Sequence, residues 1–379
     1  MKRILSILAL AALFTGAASA QEIANIGNST ALVSPEVGTD GIIFRLDANY
    51  ATTVGLKGNW MDPASEPLQM KKEGGIWSIT IPKLEPEIYT YNFVVDGVSL
   101  NDPLNPFIQR DGSRYLNMLF VDGQRSENYN ECEQRGNLTT LWYDSPSLGI
   151  NRRMIVYTPY GYNSPANKRV KYPVLYLLHG GGGDEEAWTS MGRAAQIMDN
   201  LIQKGLAKPM IVVMPNGNPN QQAASIMGLP TTDLDPRAPE NANAYVKSLV
   251  TEIVPFIEKN YRVIAKPASR AIAGLSMGGG HTLAASALYP GKFGYICPLS
   301  IGTTQSAELD KQLKAVKKGG YKLYWLACGT SDFLYDRAKE LDAALTKNGL
   351  THTFFVSDGG HEWKNWRLYL NTFAPLLFK

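Results

Sequence analysis

The chain carries two textures. Between about Val33 and Val121, apolar and polar residues alternate in short runs, IIFRLDA, TVGLKG, WSITIP, YTYNFVVDG and YLNMLFVDG, with Gly, Asp, Asn and Pro between them. A period of two places every second side chain on a buried face, so residues 33–122 predict an all-β, immunoglobulin-like sandwich. Residues 123–137, GQRSENYNECEQRGN, are polar and nearly free of large aliphatics, and are expected to form a linker. From 138 to 379 the short runs become apolar throughout: MIVYTP, VLYLLHG, MIVVMPNG, RAIAGLS, YICPLS, KLYWLACG and TFFVSDGG. They alternate with helical stretches such as AAQIMDNLIQKG, NAYVKSLVTEIVPFIEKNY and DRAKELDAALTKNG. Strands without a polar side are covered on both faces, and their alternation with helices makes them parallel. The second part is therefore expected to be an α/β domain with a mostly parallel sheet.

Composition fits that division. With 379 residues, 44% hydrophobic and 19% charged, the chain is globular and long enough for two domains. Residues 1–20, MKRILSILALAALFTGAASA, have the basic start, apolar run and small-residue end of a secretory signal peptide. The apolar stretch from Ile4 to Phe14 is too short to span a bilayer, and no later run is long enough. The expectation is an exported protein, periplasmic or extracellular, with no membrane partner. Its formal charge of +3 falls to +1 once Lys2 and Arg3 are removed. A near-neutral protein lacks the basic footprint of a nucleic-acid binder. Three cysteines are too few and too scattered for a disulfide scaffold or a zinc site. Cys297 and Cys328 end strands that are candidate neighbours, as two buried thiols or as a disulfide.

Four histidines limit the chemistry: His179, His281, His352 and His361. The motif Gly274-Leu275-Ser276-Met277-Gly278 follows an apolar strand and precedes a helix-compatible stretch. A sharp strand-to-helix turn needs glycine on both sides, and it lifts the serine hydroxyl above the edge of the sheet. Serine needs a base, and the base needs an orienting acid. His352 opens its strand and lies at the wrong end, whereas His361 follows the same strand and reaches the edge. The acid is expected after KLYWLACG, at Asp332, with Asp336 one helical turn on as its rival. A helix N-cap is the other use for Asp332. Oxyanion donors are expected from Met277 N–H and from the glycine loop His179-Gly180-Gly181-Gly182-Gly183. His179 and His281 are expected to be structural. Residues 216–243, long and Pro-rich, follow a strand and open on the edge that carries Ser276, as a candidate for sugar recognition or as an insertion without a role.

The second part resembles the esterase-D-type branch of the α/β-hydrolases, and within it carbohydrate esterase family one. The resemblance rests on RRMIVYTPYGY (152–162), YPVLYLLHGGGGDEEAW (172–188), IVPFIEKNYRV (253–263), RAIAGLSMGGG (270–280), LACGTSD (326–332) and GGHEW (359–363). It implies Ser276 as nucleophile, Asp332 as acid, His361 as base, and Gly181 and Met277 as the oxyanion amides. Residues 33–121 resemble the carbohydrate-binding β-sandwich at the front of glycogen-branching enzymes, through GLKGNWMDP (55–63), GGIWSITIP (74–82) and YTYNFVVDGV (90–98). Trp77 and Tyr91 are expected in its core, with Trp60 as the exposed ring. Together the two parts resemble exported feruloyl esterases acting on arabinoxylan, which implies a polysaccharide ester substrate and no metal or organic cofactor. Trp188 and Trp363 are candidates to stack on a phenolic acyl group, or are core aromatics. An acetyl xylan esterase or a siderophore esterase would use the same triad. A non-catalytic carbohydrate-binding protein would not need all three residues.

Overall fold

A computed structural model describes residues 32–220, 226–235 and 238–379. The leader lies outside the described residues, as does part of segment 216–243. No helix among the described residues is long and apolar enough to cross a membrane.

The N-terminal unit consists of two antiparallel sheets. One runs β1 (Glu36–Val37), β2 (Gly41–Asp47), β6 (Ile76–Pro82), β5 (Lys71–Glu73). The other runs β4 (Leu68–Gln69), β3 (Val54–Gly58), β7 (Glu87–Val95), β10 (Arg114–Val121), β9 (Ile108–Asp111), with β8 (Val98–Leu100) paired to β7. The period of two is visible in the core: Ile42, Phe44 and Leu46 of β2 meet Tyr89, Tyr91 and Phe93 of β7. Trp77 is buried there too. Trp60 is half-buried: it lies across Gly58 beside Phe44 (6.0 Å, stacked) and Tyr89 (5.9 Å, edge-on), packed against the edge of the core.

The C-terminal unit holds one eight-stranded sheet, in the order β11 (Asn137–Ser145), β12 (Ile150–Thr158), β14 (Ile211–Pro215), β13 (Val174–Leu178), β15 (Arg270–Leu275), β16 (Tyr295–Leu299), β17 (Leu323–Gly329), β18 (Thr353–Ser357). β12 pairs antiparallel with β11 and β14, and every pairing from β14 onward is parallel. This mixed sheet has the architecture of an α/β-hydrolase. Its strands feed two cores: Leu175 and Leu177 point to one face, Val174, Tyr176 and Leu178 to the other. Helices Ala194–Gln203 and Trp363–Phe373 cover the first face, and helices Met277–Leu288, Ala307–Gly319 and Tyr335–Lys347 the second. Cys132, Cys297 and Cys328 are buried free thiols.

The two units are joined by a continuous core. Ile88 and Met118, on the opposite phase of β7 and β10 from the sandwich-core residues, are buried with Trp188, Met191 and Trp366. Beside them lies a buried ion pair, with Arg367 Nε 3.0 Å from Glu87 Oε1. Arg367 also donates to the carbonyls of Ile88 (2.8 Å) and Met191 (2.6 Å), so its guanidinium is held from both units. Residues 123–137 are packed against the second unit. Tyr129 is buried, Arg193 donates to its carbonyl at 2.8 Å, and Asn200 donates to the carbonyl of Asn130 at 2.8 Å.

Candidate active site

Ser276 sits between β15 and the helix Met277–Leu288 with φ 51° and ψ −115°, a strained conformation for a residue with a side chain. Its N–H donates to Leu299 O at 2.9 Å, which fixes the turn to the neighbouring strand. The flanking glycines are required by space. A Cβ on Gly274 would lie 2.3 Å from Gly278 O, and one on Gly278 would lie 2.6 Å from His179 O. The turn thereby exposes the hydroxyl at the carboxyl edge of the sheet, next to a helix N-terminus.

His361 reaches the same place from the loop after β18. Its Nδ1 donates to Asp332, 2.9 Å from Oδ2 and 3.1 Å from Oδ1, which leaves Nε2 as the basic nitrogen. The ring is wedged between Trp366 (5.1 Å, edge-on) and the exposed ring of Phe333 (4.5 Å). Asp332 is buried, and burial pushes its carboxyl upward. Hydrogen bonds from His361, the Leu334 N–H (2.9 Å) and the Ser300 hydroxyl outweigh that and hold it below the ordinary aspartate value. One oxygen of Asp332 also ties the turn that leads into helix Tyr335–Lys347, whose N-cap is Leu334, so Asp332 is not the N-cap. Ser300 in turn accepts from Trp366 Nε1 at 2.9 Å, a support that no motif in the sequence announces. Asp336 is exposed and paired with Lys339. His352 is bonded to Asp342 at the far end of β18.

The glycine loop after β13 faces Ser276. A tight turn closes it, Gly183 N–H to Gly180 O at 3.2 Å. His179 is buried, and burial lowers its imidazole to about 4, so the ring is neutral. Its Nε2 accepts from Gly217 N–H at 2.7 Å, which places the proton on Nδ1, 2.8 Å from Gly180 O. The ring therefore staples the glycine loop to the loop after β14. His281 is half-buried against Tyr245 (4.6 Å), and the desolvation of its ring takes it down to about 3.

Ser276, His361, Gly180 and Gly181 line one cavity of about 660 Å³, within the range of small-molecule sites. Its opposite wall comes from the N-terminal unit: Lys57, Asn59, Met61, Asp111, Arg114 and Leu116. None of these was legible as a site residue, because only the docking of two separate folds brings them over Ser276. Trp363 lines the cavity. Trp188 does not. It is fully buried behind Trp363 (5.5 Å, edge-on), with its Nε1 committed to Leu178 O at 3.0 Å, so it is a core aromatic beyond reach of an acyl group. No cluster of three or more potential metal ligands occurs among the described residues.

Known proteins resemble this chain in sequence and fold. An endo-1,4-beta-xylanase/feruloyl esterase of Xylanibacter ruminicola is 33% identical over 357 residues, covering 91% of this chain and 46% of that protein. The chain thus spans less than half the length of that protein, and a third of the length of an esterase of Mycobacterium tuberculosis that it also matches. Among solved structures, a ferulic acid esterase superposes with a TM-score of 0.53 at 29% identity, over 64% of this chain and 98% of its own. An enterobactin esterase from Shigella flexneri shares the fold over both units, with a TM-score of 0.64 at 18% identity, over 90% of this chain and 95% of its own. The Esterase family profile matches residues 145–376, which contain Ser276, Asp332, His361 and the glycine loop, and by that match the chain belongs to the Esterase family.

Proposed function

We propose that the protein is an exported serine esterase that removes phenolic acyl groups, feruloyl above all, from arabinoxylan. The observation that carries this reading is the single cavity in which Ser276, the His361–Asp332 pair and the glycine loop meet. His361 Nε2 takes the Ser276 proton as Oγ attacks the ester carbonyl. The amides of Gly181 and Met277 stabilise the oxyanion, and Asp332 stabilises the imidazolium. His361 then protonates the departing sugar alcohol, and water repeats the sequence to release the acid. These steps engage only protein groups. Trp363 offers a flat wall for a phenolic ring. The feruloyl assignment is supported by the feruloyl esterase named in the Xylanibacter relative and by the ferulic acid esterase structure. Export rests on residues 1–20. We read the N-terminal unit as an immunoglobulin-like sandwich of the carbohydrate-binding type whose part here is to shape the cleft.

A siderophore ester is the second reading, favoured by the enterobactin esterase because its likeness extends over both units. Initial rates on methyl ferulate and 4-nitrophenyl acetate, with Ser276→Ala as blank, separate the possibilities. The proposal expects a ferulate rate at least comparable to the acetate rate and loss of both in the variant. Activity on acetate alone would indicate a deacetylase. Activity on neither ester would favour the siderophore reading or a non-catalytic binding protein.

A further inference from the structure

The hairpin formed by β9 and β10 reaches the catalytic edge. At its tip, Gly112 (φ +62°) lies so close to the glycine loop that a Cβ there would sit 2.9 Å from Gly182 O. Arg110, two residues earlier, donates to Gly112 O at 2.7 Å, so the guanidinium is braced against its own turn. From that position it pairs with Asp184 and, at 3.2 Å, with Glu186. Both acids lie immediately after the glycine loop. Asp184 is buried, and its other oxygen accepts from Glu186 N–H at 2.9 Å. Asp111, from the same hairpin, accepts from Trp363 Nε1 at 3.4 Å, two residues past His361.

The second unit holds the opposite side of this loop. Asn218 Nδ2 donates to Gly183 O at 2.6 Å, Asn216 donates to Glu185 at 2.9 Å, and Arg153 pairs with Glu185 at 3.1 Å. Four consecutive glycines have little stiffness of their own, so the direction of the Gly181 amide is set by what grips the loop's ends. An oxyanion donor acts only when aimed in advance at the developing charge. One of the two grips belongs to the other folding unit.

We propose that Arg110 is a positioning residue: by anchoring Asp184 and Glu186 it fixes the glycine loop so that the Gly181 amide points at the oxyanion. The N-terminal unit is thereby part of the catalytic device as well as a wall of the cleft. This inference rests on the acyl-transfer reading above, and the two fail differently. If the parent protein hydrolyses no ester, or Ser276→Ala retains activity, the reading itself fails.

The test uses the full chain, 4-nitrophenyl acetate as substrate and phenylboronic acid as a mimic of the tetrahedral intermediate. Arg110→Ala is expected to lower kcat about 10- to 100-fold, a fraction of what loss of a whole oxyanion donor costs. KM should stay within about threefold, and boronate affinity should fall in step with kcat/KM. Arg110→Lys, which keeps a cation beside Asp184 but loses the fork that also bonds Gly112 O, should recover only part of kcat. Should Arg110→Ala fail to fold, Arg110→Gln carries the same expectation with less disruption. A kcat within twofold of the parent in the neutral variants, even with a lowered Tm, would overturn the proposal. So would a loss of kcat that leaves boronate affinity unchanged.

Discussion

The two walls of the cleft were built by different rules. On the hydrolase side, every group sits in a loop at the carboxyl edge of a parallel sheet, and short motifs carry it: GLSMG, GTSD, GGH and the four glycines. On the sandwich side, Lys57 and Asn59 come from the end of β3, and Arg110 and Arg114 from the β9–β10 hairpin, with no shared pattern. The chemistry is therefore local in sequence, while recognition and loop support depend on how two folds dock. Variants on the two sides should fail in different ways.

The largest effect is expected on the hydrolase side. Asp332→Asn should lower kcat by about 10⁴ with the fold intact, because an amide neither holds the Nδ1–H tautomer nor stabilises the imidazolium. A loss under tenfold, measured with the same ester, would show that the His361–Asp332 bond is not catalytic. At the junction, Arg367→Met leaves Glu87 buried without its main cation and should cost about 3–5 kcal/mol of folding free energy. Denaturant unfolding measures it, and an unchanged midpoint would mean the units are not held together there.

Two tryptophans sharpen the contrast further. Trp363→Ala should raise KM for methyl ferulate about three- to tenfold, matching the value of one aromatic contact, with little change for acetate esters. Trp188→Ala should instead lower stability by about 3–5 kcal/mol, because it opens a hole in the shared core. Equal KM changes in both variants would erase the distinction between wall and core.

The smallest expected effect concerns Asp184. Burial raises its carboxyl to about 6, Arg110 opposes this and Glu185 adds to it. A carboxyl whose folded pKa exceeds its unfolded one stabilises the fold at low pH and loses that contribution as pH rises through about 6. The Tm of the parent relative to Asp184→Asn should therefore fall between about pH 4 and pH 7. A flat difference over that range would mean that Asp184 titrates in its ordinary range.

Much of this was legible in the chain, for identifiable reasons. The parallel sheet showed itself in all-apolar strands such as VLYLL, since both of its faces are covered. The candidate triad residues stood out because a strand-to-helix turn, an acid after one strand and a histidine after the next are each constrained locally. The docking of the units was not read, although a trace of it is present. β10 ends Met118, Leu119, Phe120, Val121, apolar on both phases, because Leu119 and Val121 fill the sandwich while Met118 fills the shared core. Ile88 does the same in β7. The sequence does not decide between wall and core for Trp188, because position near a motif does not say which side of a packed layer a ring occupies. Arg110 carried no signal at all, since its meaning comes from Asp184, which lies 74 residues away.

The central claim is that ester cleavage runs through Ser276 in the cleft between the units. Inactivation with diethyl 4-nitrophenyl phosphate, followed by peptide mass spectrometry, tests it directly. Stoichiometric loss of activity with the phosphoryl group on the peptide containing Ser276 is the expected result. Activity that survives full labelling of Ser276, or inactivation with the label elsewhere, would contradict it.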